Sequence, residues 1–103
     1  MNFELWLENG GKRLSDFVEA KYNFPDADFW LVRKGTLEAV GKPTKIFQKE
    51  NIGIKVTSDA LLPSYLFLVM EYLHMQGYWR ARAGGTTRLV NIKISDVNAI
   101  QIG

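Results

Sequence analysis

The residues of this sequence with the most evident binding chemistry are basic, and they fall into two segments. Residues 29–49 contain five cationic side chains and one acid, Glu38, whereas residues 72–95 contain four cationic side chains and no acid. Lysine and arginine contact phosphates, and arginine also recognises guanine edges. If folding joins the two segments, they form one positive face suited to a nucleic acid. If it does not, they are two separate solvated surfaces.

The second basic segment also carries hydroxyl and aromatic groups. Gly84-Gly85-Thr86-Thr87-Arg88 offers backbone N–H groups, two hydroxyls and a guanidinium to a phosphate, and a plain turn between helix and strand explains it equally well. Trp79 lies beside Arg80 and Arg82, so its ring either stacks on a base or covers the core together with Tyr78. The glycine loop lacks the Lys-Ser/Thr ending of a P-loop, which argues against an ATPase.

Catalytic and metal chemistry has few residues to draw on. The chain has no cysteine, and its single histidine, His74, falls in an apolar helical pattern. Asp26 and Asp28 are close enough in sequence to face one cation, and Glu19-Ala20-Lys21 has the spacing of some nuclease motifs. Surface acids are the simpler interpretation, because such triplets are common by chance. We therefore predict that the chain is not an enzyme and has no cofactor or metal site.

The strands that must position the basic residues are predicted from period-two alternation of apolar side chains. The pattern gives strands at residues 3–7, 29–33, 52–56, 90–94 and 100–102, with residues 52–56 and 90–94 in one sheet. Residues 36–40 form either a short strand or part of a long loop. Ser15 is a candidate cap for a short helix through about Lys21, which would turn Phe17 and Val18 towards the core.

One long helix is predicted between Pro63 and Gln76, with Gly77 as its stop. Its residues are apolar on almost every side, which is typical of a buried helix. We therefore expect a central helix with Leu66 and Leu73 deep in the core. Together the elements predict an α+β fold, in which a small mixed or antiparallel sheet packs on this helix.

Length and composition limit the number of domains and the class of protein. A chain of 103 residues and 11.8 kDa, 47% hydrophobic and 23% charged, fits one domain over residues 1–103. The first residues lack the pattern of a signal peptide, and the longest apolar run, residues 65–70, is far shorter than the ~20 residues of a membrane span. We expect a soluble, cytoplasmic protein.

Four groups of motifs follow one another between residues 13 and 103. Their sequences are Arg13-Leu-Ser-Asp-Phe-Val18; Asn51-Ile-Gly-Ile-Lys-Val56 with Leu62-Pro-Ser-Tyr-Leu66; Ala83-Gly-Gly-Thr-Thr-Arg88; and Val90-Asn-Ile92, Ser95-Asp-Val97 and Ile100-Gln-Ile102. In order and spacing they resemble the target recognition domain of type I restriction–modification specificity subunits. The chain resembles a single, short copy of that domain, without the long helices that dock the methyltransferase subunits.

The resemblance implies a stand-alone module for double-stranded DNA, encoded by a phage or another mobile element. Contacts with phosphates are implied for Arg33, Lys34, Lys42 and Lys45. Contacts with the DNA backbone or with base edges are implied for Arg80, Arg82, Thr86, Thr87, Arg88 and Asn91. The alternative is a protein-interaction module that pairs with or interferes with a restriction or other defence complex without binding DNA. A single domain with exposed aromatic surface is also expected to form a homodimer, through Trp6, Trp30 or Tyr78.

Overall fold

The computed structural model describes residues 12–85 and 89–102, without the side chain of Ile102. In these ranges the chain forms nine short strands and two α-helices. They are β1 Lys12–Arg13, β2 Val18–Tyr22, β3 Phe29–Leu31, β4 Lys34–Gly35, β5 Pro43–Thr44, β6 Ile52–Val56, α1 Pro63–Met75, β7 Gly84–Gly85, β8 Val90–Asn91, α2 Ile94–Asn98 and β9 Gln101–Ile102. The α+β class is confirmed. The predicted first strand, residues 3–7, lies outside the described residues.

The largest sheet has four antiparallel strands in the order β2-β6-β3-β5. Strand β6 is central because its alternating Ile52 and Ile54 are fully buried in the core. Gly53 between them faces the other side of the strand, where a Cβ would lie 2.6 Å from Cβ of Phe24. Glycine at this position therefore lets the loop residue Phe24 lie directly on the sheet.

Two smaller sheets complete the strand pairing. Strands β4, β8 and β7 form a three-stranded antiparallel sheet, and β1 pairs with β9. The prediction that residues 52–56 and 90–94 share one sheet is wrong, since β8 ends at Asn91 and belongs to the three-stranded sheet. Asp96 explains the early end: its carboxylate accepts the N–H of Lys93 at 2.8 Å and caps α2, which begins at Ile94.

The helix predicted from Ser15 to Lys21 is also wrong. A single 3₁₀ turn spans Leu14–Asp16, in which the Asp16 carboxylate accepts the N–H of Arg13 at 3.1 Å. The chain then enters β2, which pairs with β6 over five residues. A long-range ladder of this length outweighs the weak helical preference of a short segment. Residues 36–40 form turns rather than a strand, directly after β4.

Helix α1 follows the predicted bounds closely, and Gly77 ends it with a φ of +79°. Its position differs from the prediction. Leu66 and Met70 are fully buried, but Leu73 is only half-buried and the side of the helix opposite the core is exposed. The helix therefore lies on the surface of the core rather than at its centre. Neither described helix combines the length and the hydropathy of a membrane span.

Candidate nucleic-acid interface

The pairing of β4 with β8 joins the two basic segments. Lys34 lies opposite Asn91, and Asn91 lies opposite Gly84 on the third strand. The N–H of Ile92 also donates to the carbonyl oxygen of Arg33 at 3.0 Å. Directly opposed residues of an antiparallel pair project from the same face with their Cβ atoms ~5 Å apart. Lys34 and Asn91 therefore stand side by side on one face of the small sheet.

Lys42 extends this group from the other side. Its carbonyl oxygen accepts the N–H of Val32 at 3.0 Å, and the N–H of Gly41 donates to the carbonyl oxygen of Val32 at 2.8 Å. These bonds hold exposed Lys42 level with Val32, two residues before Lys34. Lys42 also lines an open cleft of about 320 Å³ together with Thr44 and Asn51. This cleft, whose lining is partly polar and partly apolar, lies beside β5.

Arg33 and Lys45, both predicted phosphate contacts, are held by aromatic rings. The Arg33 guanidinium lies 4.4 Å from the ring centroid of Tyr22, and the Lys45 ammonium lies 4.7 Å from that of Phe67 on α1. Cation–π contacts of this kind restrain a cation without neutralising its charge. Arg33 is half-buried and Lys45 is directed towards α1, so both lie at the margin of the group around Lys34.

The structure decides between the two interpretations of Trp79. Trp79 is fully buried in the core, so its ring cannot stack on a base. Tyr78 packs edge-on against it, with ring centroids 5.0 Å apart. The Arg82 guanidinium lies 3.7 Å from the Tyr78 ring centroid, and its Nη1 donates to the Tyr78 carbonyl oxygen at 3.0 Å. Arg82 and Arg80 nevertheless remain exposed to solvent.

Burial raises the pKa of the Tyr78 phenol, although the nearby charge of Arg82 opposes the shift. The carboxylate of Asp96 adds to the rise, so the phenol is neutral at physiological pH. Arg82 and Tyr78 border a second open cleft, of about 400 Å³, together with Ile100 and Gln101.

Three of the predicted contact residues, Thr86, Thr87 and Arg88, lie outside the described residues. In sequence they occupy the connection from β7 to β8. Gly84 and Gly85, predicted as a loop, form β7 itself. Gly85 has a φ of +110°, and a Cβ there would lie 2.5 Å from the carbonyl oxygen of Leu89, so the connection requires glycine at this point.

Few acidic side chains lie close to the cations of this region. Across residues 12–85 and 89–102 the recorded ion pair is Lys21 with Glu19, at 3.9 Å and on the surface. Within that part of the chain Lys34, Lys42 and Arg80 therefore have no carboxylate within 4.0 Å. The acid of the first basic segment, Glu38, uses its backbone carbonyl oxygen to accept a hydrogen bond from Nε2 of His74 at 2.6 Å. The histidine thus links α1 to this turn.

Asp26 and Asp28 accept hydrogen bonds from different residues through different groups. The Asp28 carboxylate accepts the N–H of Val56 at 2.8 Å, and Asp26 uses its carbonyl oxygen to accept from Nζ of Lys55 at 3.2 Å. Among the described residues no group of three or more acidic or histidine side chains is placed to hold a metal ion. Asp28 therefore has a structural function at the end of β6.

Replacing Asp28 with alanine is expected to lower the free energy of unfolding by about 1–3 kcal/mol, because the half-buried N–H of Val56 loses its acceptor. Asp26→Ala is the matched control, since it removes an exposed carboxylate and keeps the carbonyl oxygen that Lys55 uses. Its expected change is within ~0.5 kcal/mol. Urea unfolding followed by circular dichroism measures both. Equal losses in the two variants would contradict the structural function of Asp28.

Comparison of the chain with protein-family models, curated proteins and solved structures found no match in any of the three. The resemblance to the target recognition domain thus stays a prediction from the motifs. The strand pairing around Lys34 is an independent observation, because it does not depend on that resemblance.

Proposed function

We propose that this chain is a DNA-binding module that contacts the phosphates of a duplex through one basic surface. We define the basic surface by its exposed or half-buried polar residues, Lys34, Lys42, Arg80, Arg82 and Asn91. The observation that supports the proposal is the β4–β8 pairing, which places Lys34 of the first basic segment beside Asn91 of the second, more than fifty residues further along the chain. Phosphate contacts of this kind supply most of the affinity of small DNA-binding proteins.

The residues of the basic surface have different parts in this proposal. Lys34 and Lys42 bring compact, mobile charges to phosphates, whereas the guanidinium of Arg82 is restrained by its contact with the ring of Tyr78. Asn91 carries no charge, and its amide is suited to a bidentate hydrogen bond with an adenine edge. The resemblance to target recognition domains favours DNA as the ligand and adds Thr86, Thr87 and Arg88 as further contacts.

The salt dependence of binding tests the proposal. Fluorescence anisotropy of a labelled duplex pool at several salt concentrations is expected to give a slope of log affinity against log salt of about −4, for four to five phosphate contacts at ~0.9 each. The double variant Lys34→Ala/Lys42→Ala is expected to bind more weakly, with a slope shallower by about two. Asn91→Ala is expected to leave the slope unchanged and to weaken only preferred sequences, by ~1–3 kcal/mol.

Lys55→Gln is the control for loss of charge. Lys55 lies towards the end of β6 that is remote from Arg33 and β4, so its removal is expected to change neither affinity nor slope. A protein that binds no duplex at low salt and ~100 µM, where non-specific binders are saturated, contradicts the proposal. An equal effect of Lys55→Gln and of the double variant Lys34→Ala/Lys42→Ala contradicts the location of the basic surface.

A protein-interaction module is the second candidate function. The observation that favours it is the exposed apolar side of α1, which carries large side chains away from the core. Continuous exposed apolar surface commonly marks a site of protein association. The partner proposed from the resemblance is a subunit of a restriction or other defence complex. Retained binding to such a subunit by a variant that has lost DNA binding would support this function.

A further inference from the structure

Helix α1 exposes a row of large apolar side chains on the side opposite the core. The exposed fractions are 38% for Tyr65, 61% for Leu68, 61% for Tyr72 and 79% for Met75, and Leu62, at the N-cap, is 67% exposed. We call Tyr65, Leu68, Tyr72 and Met75 the α1 stripe. The residues predicted to mediate dimer formation differ from it: Trp30 is buried, Tyr78 is half-buried, and Trp6 lies outside the described residues.

The spacing of the stripe is that of a helix–helix interface. Its members follow one another at intervals of three, four and three residues, which is the seam of a two-helix packing. At 100° per residue this seam points almost directly away from buried Leu66 and Met70. The stripe itself contains no charged side chain. Its partner must therefore be apolar and elongated, like a second helix.

We propose that a second copy of this chain covers the α1 stripe, so that the protein forms a two-fold dimer with α1 packed against α1. The stripe is self-complementary, because the spacing of three, four and three residues is the same from either end of the helix. Two identical stripes therefore match in register in either relative direction of the helices. Two-fold pairing of one surface with itself is the commonest way in which soluble proteins associate.

The area of the stripe agrees with a weak dimer. The exposed fractions of its four residues amount to about 2.4 whole large side chains, or ~480 Å² at ~200 Å² each. Covering this surface on both copies removes about 960 Å² from solvent, which is the size of a weak, transient protein interface. We therefore expect association at micromolar rather than nanomolar concentrations. The proposal does not depend on DNA binding, since the stripe contains none of the residues of the basic surface.

Sedimentation equilibrium of the full chain between ~1 and ~100 µM tests the dimer. The expected result is a mass that rises from monomer to dimer over this range. Leu68→Glu places a charge in the middle of the interface and is expected to raise the dissociation constant at least ~100-fold. Ile46→Glu is the matched control, because Ile46 is an equally exposed aliphatic residue outside α1. It is expected to leave the dissociation constant unchanged.

Far-UV circular dichroism and thermal unfolding at ~1 µM show whether the two variants are folded. If Leu68→Glu does not fold, Tyr72→Ser is a milder change to the same interface. A full chain that stays monomeric at ~100 µM would overturn the proposal. A dimer that survives both Leu68→Glu and Tyr72→Ser would overturn it as well, because the interface would then lie elsewhere.

Discussion

Gly41→Ala is expected to lower the free energy of unfolding by about 2–5 kcal/mol, although it adds only one methyl group. The new Cβ would overlap Cδ1 of Trp79, whose ring is fully buried and unable to move aside. Overpacking of a core costs ~1–3 kcal/mol. Gly41 also has a φ of +81°, a left-handed conformation that costs a residue with a side chain a further ~1–2 kcal/mol.

Gly77→Ala separates these two effects. Gly77 has nearly the same φ, +79°, but the nearest atom to its Cβ would be Cδ of Arg80, at an ordinary 3.7 Å. In this variant the free energy of unfolding is expected to fall only by the conformational cost of ~1–2 kcal/mol. Chemical unfolding followed by circular dichroism measures both variants. Equal losses at the two glycines would contradict the close packing of Trp79 on Gly41.

A second experiment removes the Trp79 ring that the added methyl group would overlap. In a Trp79→Leu background, Gly41→Ala is expected to cost less than in the wild type, because the smaller side chain leaves room for the Cβ. The difference between the two losses is the coupling energy of the pair. Additive effects would show that the alanine is destabilising for a reason unrelated to Trp79. The Nε1 of Trp79 has no hydrogen-bond partner in the described part of the chain, so packing is what holds this side chain.

Elements with strong local signals are the ones that the sequence predicts correctly. Strand β6 alternates cleanly, and α1 has both a proline at its start and a glycine at its end. The predictions around Ser15 and Ile94 are wrong for different reasons. Strand β2 is fixed by its long-range ladder with β6, whereas residues 90–94 divide because the nearby Asp96 side chain caps α2.

The candidate interface shows the same limit. The two basic segments are visible in the sequence, but their union depends on the pairing of Lys34 with Asn91, which no local pattern encodes. Neighbouring aromatic and basic residues are ambiguous for a similar reason. Trp79 belongs to the core while Arg80 and Arg82 face solvent, and only the course of the chain after α1 separates them.

The composition of α1 did not predict that one side of the helix is exposed. A helix that is apolar on almost every side is typical of the interior, and its few polar residues give little indication of which side the sheets cover. The spacing of Tyr65, Leu68, Tyr72 and Met75 was the available signal, and its meaning depends on knowing that Leu66 and Met70 face the core.

Leu66→Ala and Leu68→Ala, two residues apart on α1, are expected to differ in how much stability they lose and in whether the loss depends on protein concentration. Leu66 is fully buried, so its truncation leaves a cavity and is expected to cost about 2–5 kcal/mol at any protein concentration. Leu68 is mostly exposed, so at ~1 µM its truncation is expected to change the free energy of unfolding by less than ~0.5 kcal/mol. At ~100 µM the proposed dimer is expected to stabilise the wild type, and Leu68→Ala is expected to lose that gain. Thermal unfolding at the two concentrations measures all four values. A loss for Leu68→Ala that equals that of Leu66→Ala at ~1 µM would contradict the placement of α1 on the surface of the core.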